Sequence, residues 1–214
     1  MLKIHTIYGA DADSNIFVLE DSGSGEALLV DAGTGSHSVR VQKMIEKFVP
    51  LSTVKQIVIT HKHYDHTGGA AEIVRRTGAG IFMHKLDSPA IEQGDDETAA
   101  FFYGKQEPVK ISRHLEGGET IHVGKSKLEV IHTPGHTKGC ICLYHAESKS
   151  LISGDTVFAD GALGRWDLPS GNREDMAKSI KRLCLLDVEN LYPGHGYVVE
   201  GGAGEHIQMA LESL

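Results

Sequence analysis

Thr60-His61-Lys62-His63-Tyr64-Asp65-His66-Thr67-Gly68, closed by a second glycine at Gly69, places three histidines and one aspartate within six positions. It follows directly on Gln56-Ile57-Val58-Ile59, a short, β-branched run with polar residues after it, which is the pattern of a buried strand. His61 and His63, two apart in an extended or looped segment, project to the same side. Asp65 and His66 stand just beyond and reach toward a second point nearby. One loop therefore offers two donors to each of two adjacent metal positions, which a single-metal motif does not need. Thr67-Gly68-Gly69 is read as a sharp backbone turn that opens a helix from Ala70 to Arg76. The plain alternative is a polar surface loop that is merely rich in histidine.

Three later segments repeat this plan of apolar strand, Pro/Gly turn and metal-binding side chain. Leu128-Glu129-Val130-Ile131 runs into His132-Thr133-Pro134-Gly135-His136. Ser150-Leu151-Ile152 runs into Ser153-Gly154-Asp155, and Leu191-Tyr192 into Pro193-Gly194-His195-Gly196. Strand-end loops gathered on one rim can converge on a common point. The donors are then five histidines (His61, His63, His66, His136, His195) and two aspartates (Asp65, Asp155). Seven exceed what one tetrahedral zinc takes. They suit two divalent ions, with His61, His63 and His136 on one, Asp65, His66 and His195 on the other, and Asp155 bridging. Such a centre, carrying a shared hydroxide, has a net charge of about +1, polarises a carbonyl and attracts an anionic small-molecule substrate. Zn2+ is the expected ion, and Fe2+ or Mn2+ also accepts imidazole and carboxylate donors.

The rest of the chain bounds this reading. Its 214 residues, 40% hydrophobic and 23% charged, predict one soluble globular domain over residues 1–214. A net charge of -8 without a lysine/arginine block argues against nucleic acid or an anionic membrane as partner. No run approaches the ~20 apolar residues of a membrane span, and Met1-Leu2-Lys3-Ile4-His5 does not read as a signal peptide. Three cysteines, two of them (Cys140, Cys142) expected side by side on one buried strand face, fit a reducing, cytoplasmic setting. The sequence leaves the oligomeric state open.

In chain order, strands are expected at Leu2 to Tyr8, Asn15 to Glu20 and Ala27 to Val30, the last ending in Asp31-Ala32-Gly33. Val41, Met44, Ile45 and Phe48 follow a helical period that Pro50 stops. Ile81 to Met83 is a strand, and Leu86 to Gly104 is helix-prone with an exposed tip at 94–97. The second half repeats the plan: a hairpin (Glu119 to Val123, Lys127 to Ile131), strands at Cys140 to Tyr144, Ser150 to Ile152 and Glu189 to Tyr192, and helices at Asn172 to Leu186 and Gly204 to Ser213. The strands look antiparallel in each half. Periodicity alone supports a mixture of α and β.

His61-x-His63-x-Asp65-His66, followed in order by His136, Asp155 and His195, resembles the metallo-β-lactamase superfamily across almost the whole chain. Asp31-Ala32-Gly33 resembles that superfamily's structural Asp-x-Gly turn. The resemblance implies an α+β fold, a four-layered αβ/βα sandwich of two face-to-face sheets with helices outside. Asp65, Asp155 and the segment Gly164-Arg165-x-Asp167-x-Pro169-x-Gly171 resemble small glyoxalase II-like proteins (hydroxyacylglutathione hydrolases). True metallo-β-lactamases typically carry a cysteine where Asp155 stands, which points away from antibiotic hydrolysis. The implied activity is thioester hydrolysis by a hydroxide bridging two metals, with Asp65 orienting it. Few residues follow His195, so the helical domain that grips glutathione in full-length glyoxalase II cannot be carried over. A persulfide dioxygenase with mononuclear iron on His61, His136 and Asp155 is the alternative, and a lactonase a third.

Arg165 is expected either to hold a substrate carboxylate or to pair with Asp167 or Asp160. Tyr64 and Tyr197, beside donor loops, are candidate substrate contacts. Trp166 is a candidate for the pocket mouth, as is the stretch from Ser88 to Pro108. His5, His84, His122, His132 and His145 lack a glycine-turn setting and are read as surface or packed histidines.

Overall fold

The computed structural model describes residues 1–95 and 98–214, so Asp96 and Glu97, part of the expected tip, lie outside the described residues. The first six-stranded sheet runs in sequence order: β1 (Leu2–Ile7), β2 (Ile16–Asp21), β3 (Ala27–Val30), β4 (Val54–Ile59), β5 (Gly80–His84) and β6 (Ile111–Leu115). The second holds β7 (Thr120–Val123), β8 (Ser126–His132), β9 (Ile141–His145), β10 (Ser150–Gly154), β11 (Asn190–Pro193) and β12 (Val199–Glu200). Among the described residues, six α-helices accompany them: α1 (Ser38–Phe48), α2 (Tyr64–Thr67), α3 (Ala70–Thr77), α4 (Ser88–Gln93), α5 (Arg173–Leu183) and α6 (Ala203–Glu212).

Alternation along the strands builds the layers. In β2, Ile16 and Val18 face one cluster with Val41 and Ile45 of α1 and Ile73 of α3, while Phe17 and Leu19 face the other sheet. Leu28 and Val30 of β3 and Val58 of β4 share that inner layer with Leu128 and Val130 of β8 and Ile141 and Leu143 of β9. On the far side, Cys142 and Tyr144 of β9 and Leu151 of β10 pack against Met176 and Ile180 of α5 and Ile207 of α6. A period of two thus splits each buried strand between two cores. The result is the expected four-layered αβ/βα sandwich, with apolar residues on both strand faces because both faces are covered.

Several local expectations are corrected. β1 to β3 are antiparallel, but β3 to β6 are parallel, as is β10 with β11. Helices lie between those strands in sequence, and a helical crossover returns the chain in the same direction. β6 escaped the sequence reading because only its two ends, Ile111 and Leu115, are buried, and β12 because it has two residues. Cys140 stands just before β9 rather than beside Cys142 on one face; both thiols are buried and free. Gly68 and Gly69 form the expected turn before α3, with right-handed helical backbone at both. Their bare Cα atoms allow close approach: a Cβ would come within 2.4 Å of the Thr34 carbonyl oxygen at Gly68 and 2.2 Å of that of Ala32 at Gly69. The glycines press the donor segment onto the β3 loop.

Because Leu143 lies in the layer between the sheets at 0% exposure, Leu143→Ala is expected to cost about 2–5 kcal/mol of unfolding free energy. Urea denaturation should show the midpoint falling with its slope preserved.

Candidate metal centre

Strands from both sheets end at the same place. β4 delivers His61 and His63, and α2, directly after it, delivers Asp65 and His66. The second sheet delivers His136 after β8, Asp155 after β10 and His195 after β11. A backbone bond from Ile141 N to Thr60 O (3.0 Å) ties the two sheets beside the cluster. All seven donors expected from sequence are therefore brought together.

Among the described residues, three groups of donors have ligand atoms within 4.8 Å of one another: His61, His63 and His136; Asp65, His66 and His195; and His61, His66 and Asp155. His61 Nε2 lies 3.1 Å from His63 Nδ1, and His195 Nε2 lies 3.0 Å from Asp65 Oδ2. Asp155 stands between the halves, with Oδ1 3.3 Å from His66 Nε2 and Oδ2 3.5 Å from His136 Nε2. Its close fit requires Gly194, where a Cβ would meet Asp155 Oδ1 at 2.2 Å.

The outward nitrogens of the rings are held by the protein. His66 Nδ1 bonds to Asp31 Oδ2 (2.8 Å), and His136 Nδ1 bonds to the Arg165 carbonyl (2.6 Å). Each of these acceptors requires the proton on Nδ1, which leaves the Nε2 lone pair facing the cluster. Inside, His66 Nε2, His136 Nε2 and Asp155 Oδ1 are buried and make no hydrogen bond. Buried polar atoms are costly to leave unpaired, so these three mark a place that a ligand fills. Imidazole and carboxylate are the donor set that divalent transition metals take.

Without an ion, burial and neighbouring charge act on these groups in opposite directions. Burial, together with the neighbouring histidines, holds His61 well below the usual histidine range and His63 down to about 3, so both rings stay neutral and able to ligate. Burial also opposes charge on His66, but Asp155, Asp31 and Asp65 overcome it and raise its pKa well above 6.5. Burial opposes the Asp155 carboxylate too, and His66, His136 and His195 outweigh it and hold the group ionised.

Three residues outside the donor set hold the loops. Asp31 accepts the Thr60 N–H (2.8 Å) and hydroxyl (2.9 Å) as well as the His66 ring. Buried Asp87 accepts Lys62 N (3.0 Å), Thr137 Oγ1 (2.6 Å) and Gly139 N (2.9 Å), joining the His61 loop to the His136 loop. Asn15 Nδ2 donates to the Pro193 and Gly196 carbonyls, both at 3.0 Å, and fixes the His195 loop. Asp31 carried a signal in its Asp-x-Gly turn; Asp87 and Asn15 carried none, because their partners are distant in sequence.

Of the remaining candidates, Arg165 lines the cavity over the cluster and makes the bidentate pair with Asp167 (3.0 and 2.8 Å). The Tyr64 ring packs on Phe102 and against Gly104 and lines a different groove. The Tyr197 hydroxyl donates to Asp160 (2.7 Å). Trp166 packs against the core beneath α5 and α6. From the Ser88 to Pro108 stretch, Thr98, Phe101 and Phe102 line the cavity, as the rim expectation required. His84 is buried and stacks on His132 with ring centroids 4.0 Å apart.

A family model described as the metallo-beta-lactamase superfamily matches residues 10–195. The chain belongs to the metallo-beta-lactamase superfamily, and with it to a superfamily of metallo-hydrolases. It is 32% identical to a protein of Gallus gallus named acyl-coenzyme A thioesterase MBLAC2, covering 88% of this chain and 74% of that one. The crystal structure of TTHA1623 in a di-iron-bound form is 28% identical, covers 98% of this chain and 96% of that one, and superposes with a TM-score of 0.76. The BLEG-1 B3 metallo-beta-lactamase, 22% identical, shares the fold with a TM-score of 0.83 over 98% of this chain and 97% of that one. Among the described residues, no helix is long and apolar enough to cross a membrane.

Removing the Asp31 carboxylate frees His66 to rotate. Asp31→Ala is expected to weaken metal affinity about 10- to 100-fold, read by competition with a chromophoric chelator. A separate expectation concerns His84, whose burial and stacked partner push its pKa down to about 4. The unfolded chain, with its histidine near 6.5, then binds more protons than the folded one between about pH 6.5 and 4, so stability falls as pH drops through that window. His84→Gln should remove roughly one proton from the pH slope of unfolding there.

Proposed function

We propose that this chain is a binuclear metal-dependent hydrolase that cleaves a thioester, in the manner of glyoxalase II. His61, His63 and His136 would hold one ion, Asp65, His66 and His195 the other, with Asp155 shared. The observation that carries the reading is the set of buried, unbonded inward atoms, His66 Nε2, His136 Nε2 and Asp155 Oδ1, on rings and a carboxylate already fixed from outside. The thioesterase name of the chicken relative supports the reaction class, and the di-iron form of TTHA1623 supports two ions. We take Zn2+ as the leading ion, with Fe2+ or Mn2+ the alternatives.

Two such ions, when bound, lower the pKa of a shared water, polarise the thioester carbonyl and give the centre a positive charge that favours an anionic substrate. The chain supplies the rest. Asp65, beside His195 at the second ion's position, would present a carboxylate oxygen that orients the attacking oxygen. Thr60 and Asp31 keep His66 in register, and Asp87 keeps the His63 and His136 loops together. Cys140, Cys142 and Cys184, all free thiols, accord with a reducing, cytoplasmic setting.

The test is metal content of protein purified without chelator, combined with a thioester panel and oxygen uptake on glutathione persulfide. We expect two metals per chain, thioester cleavage abolished by chelation and restored by Zn2+, and no oxygen consumed. Asp65→Ala loaded with metal should fold but lose about 10²–10⁴-fold in turnover. One iron per chain with persulfide-dependent oxygen uptake would replace this reading by a dioxygenase, and cleavage of lactones alone by a lactonase.

A further inference from the structure

Above the donor cluster lies a cavity of about 340 Å³, within the range of small-molecule sites. His63, Asp65, His136 and Asp155 form its floor. One wall is Phe101 and Phe102, from the short 3-10 turn Ala99–Phe102, and the other is Leu168 and Pro169. The walls are thus mainly carbon. Phe101 is 72% exposed, leaving an aromatic ring uncovered at the mouth of a metal-hydrolase site. Arg165 is the one cation among the described lining residues, and two of its nitrogens are engaged by Asp167. The floor adds two carboxylates. Apart from the ions the floor would hold, the described walls thus offer an anionic group no cation but the Asp167-paired Arg165.

Resting on the thioesterase reading, we propose that this cavity is an acyl-chain site that receives the apolar acyl group of the substrate and leaves a charged thiol carrier outside. An apolar chain laid between Phe101 and Leu168 covers carbon on both sides, and each methylene so buried favours binding. The carbonyl carbon then sits over the floor, next to Asp65 and Asp155. The His195 side chain is 38% exposed yet does not line the cavity, so the cluster has a second open flank for the thiol. Hydrolysis breaks the carbon–sulfur bond, forms a carbon–oxygen bond with water and passes the water's proton to the departing thiolate. The anionic character expected of the substrate is then carried by the thiol portion.

Two measurements on the metal-loaded full chain test this. Calorimetry with straight-chain carboxylates from butyrate to decanoate should show Kd tightening about two- to fourfold per added methylene until the cavity is filled. Phe101→Ala and Leu168→Ala should each flatten that dependence, with circular dichroism verifying the fold. In parallel, kcat/KM on thioesters of one common thiol should rise from acetyl to longer chains and exceed that for the hydroxyacyl (lactoyl) ester. Affinity independent of chain length, or a lactoyl preference over every longer chain, would overturn the assignment. Affinity that grows with length without cleavage of any thioester would keep the cavity's assignment and remove the thioesterase reading.

Discussion

Asp31 is a carboxylate at 1% exposure, and a charge taken so far from water has to be fully bonded. It accepts from the Thr60 backbone, the Thr60 hydroxyl and the His66 ring, and its own N–H reaches the Val58 carbonyl. Those bonds lock the end of β3 to the end of β4 and aim His66 inward. Asp31 also adopts a left-handed backbone, φ 64°, a conformation that aspartate tolerates better than most side chains. The donor geometry depends on this one side chain being satisfied.

Around it the site is assembled from two sheets rather than one. The first sheet contributes a dense segment, and the second contributes single donors at three strand ends. What keeps these pieces in register is a set of polar contacts that cross between loops, through Asp87 on one side and Asn15 on the other. Both are buried, and both bond mainly to backbone, which positions a loop without constraining the side chains it carries. His66 and His136 are oriented from behind, so their inward nitrogens face the shared cluster.

The surroundings of the cluster are chemically divided. Its floor is ionic and imidazole-rich, its cavity walls are aromatic and aliphatic, and the acidic chain as a whole has a charge of -8. Preorganised charge at the floor and low polarity above it strengthen each other, because electrostatic interactions gain when water is displaced. The Phe101 and Phe102 wall comes from an irregular segment between β5 and β6, the kind of connection on which binding specificity is commonly carried.

The sequence by itself picked out seven candidate donors, which the structure brings together, and a mixture of α and β. The donors were legible because each group stands just beyond an apolar strand, directly at His61 and through a Pro/Gly turn at His136, Asp155 and His195, a pattern local in the chain. The superfamily resemblance supplied the order of the layers. Only the tertiary structure decided which strands run parallel, why Gly68 and Gly69 are glycine, and which residues line the cavity. It also revealed Asp87 and Asn15, and it turned Tyr64 away from the cavity over the cluster. These outcomes rest on contacts between residues far apart in sequence, such as Asn15 with Pro193, whose bonds form only when both sheets are in place. Local pattern encodes which atoms can act, and long-range packing decides what each of them touches.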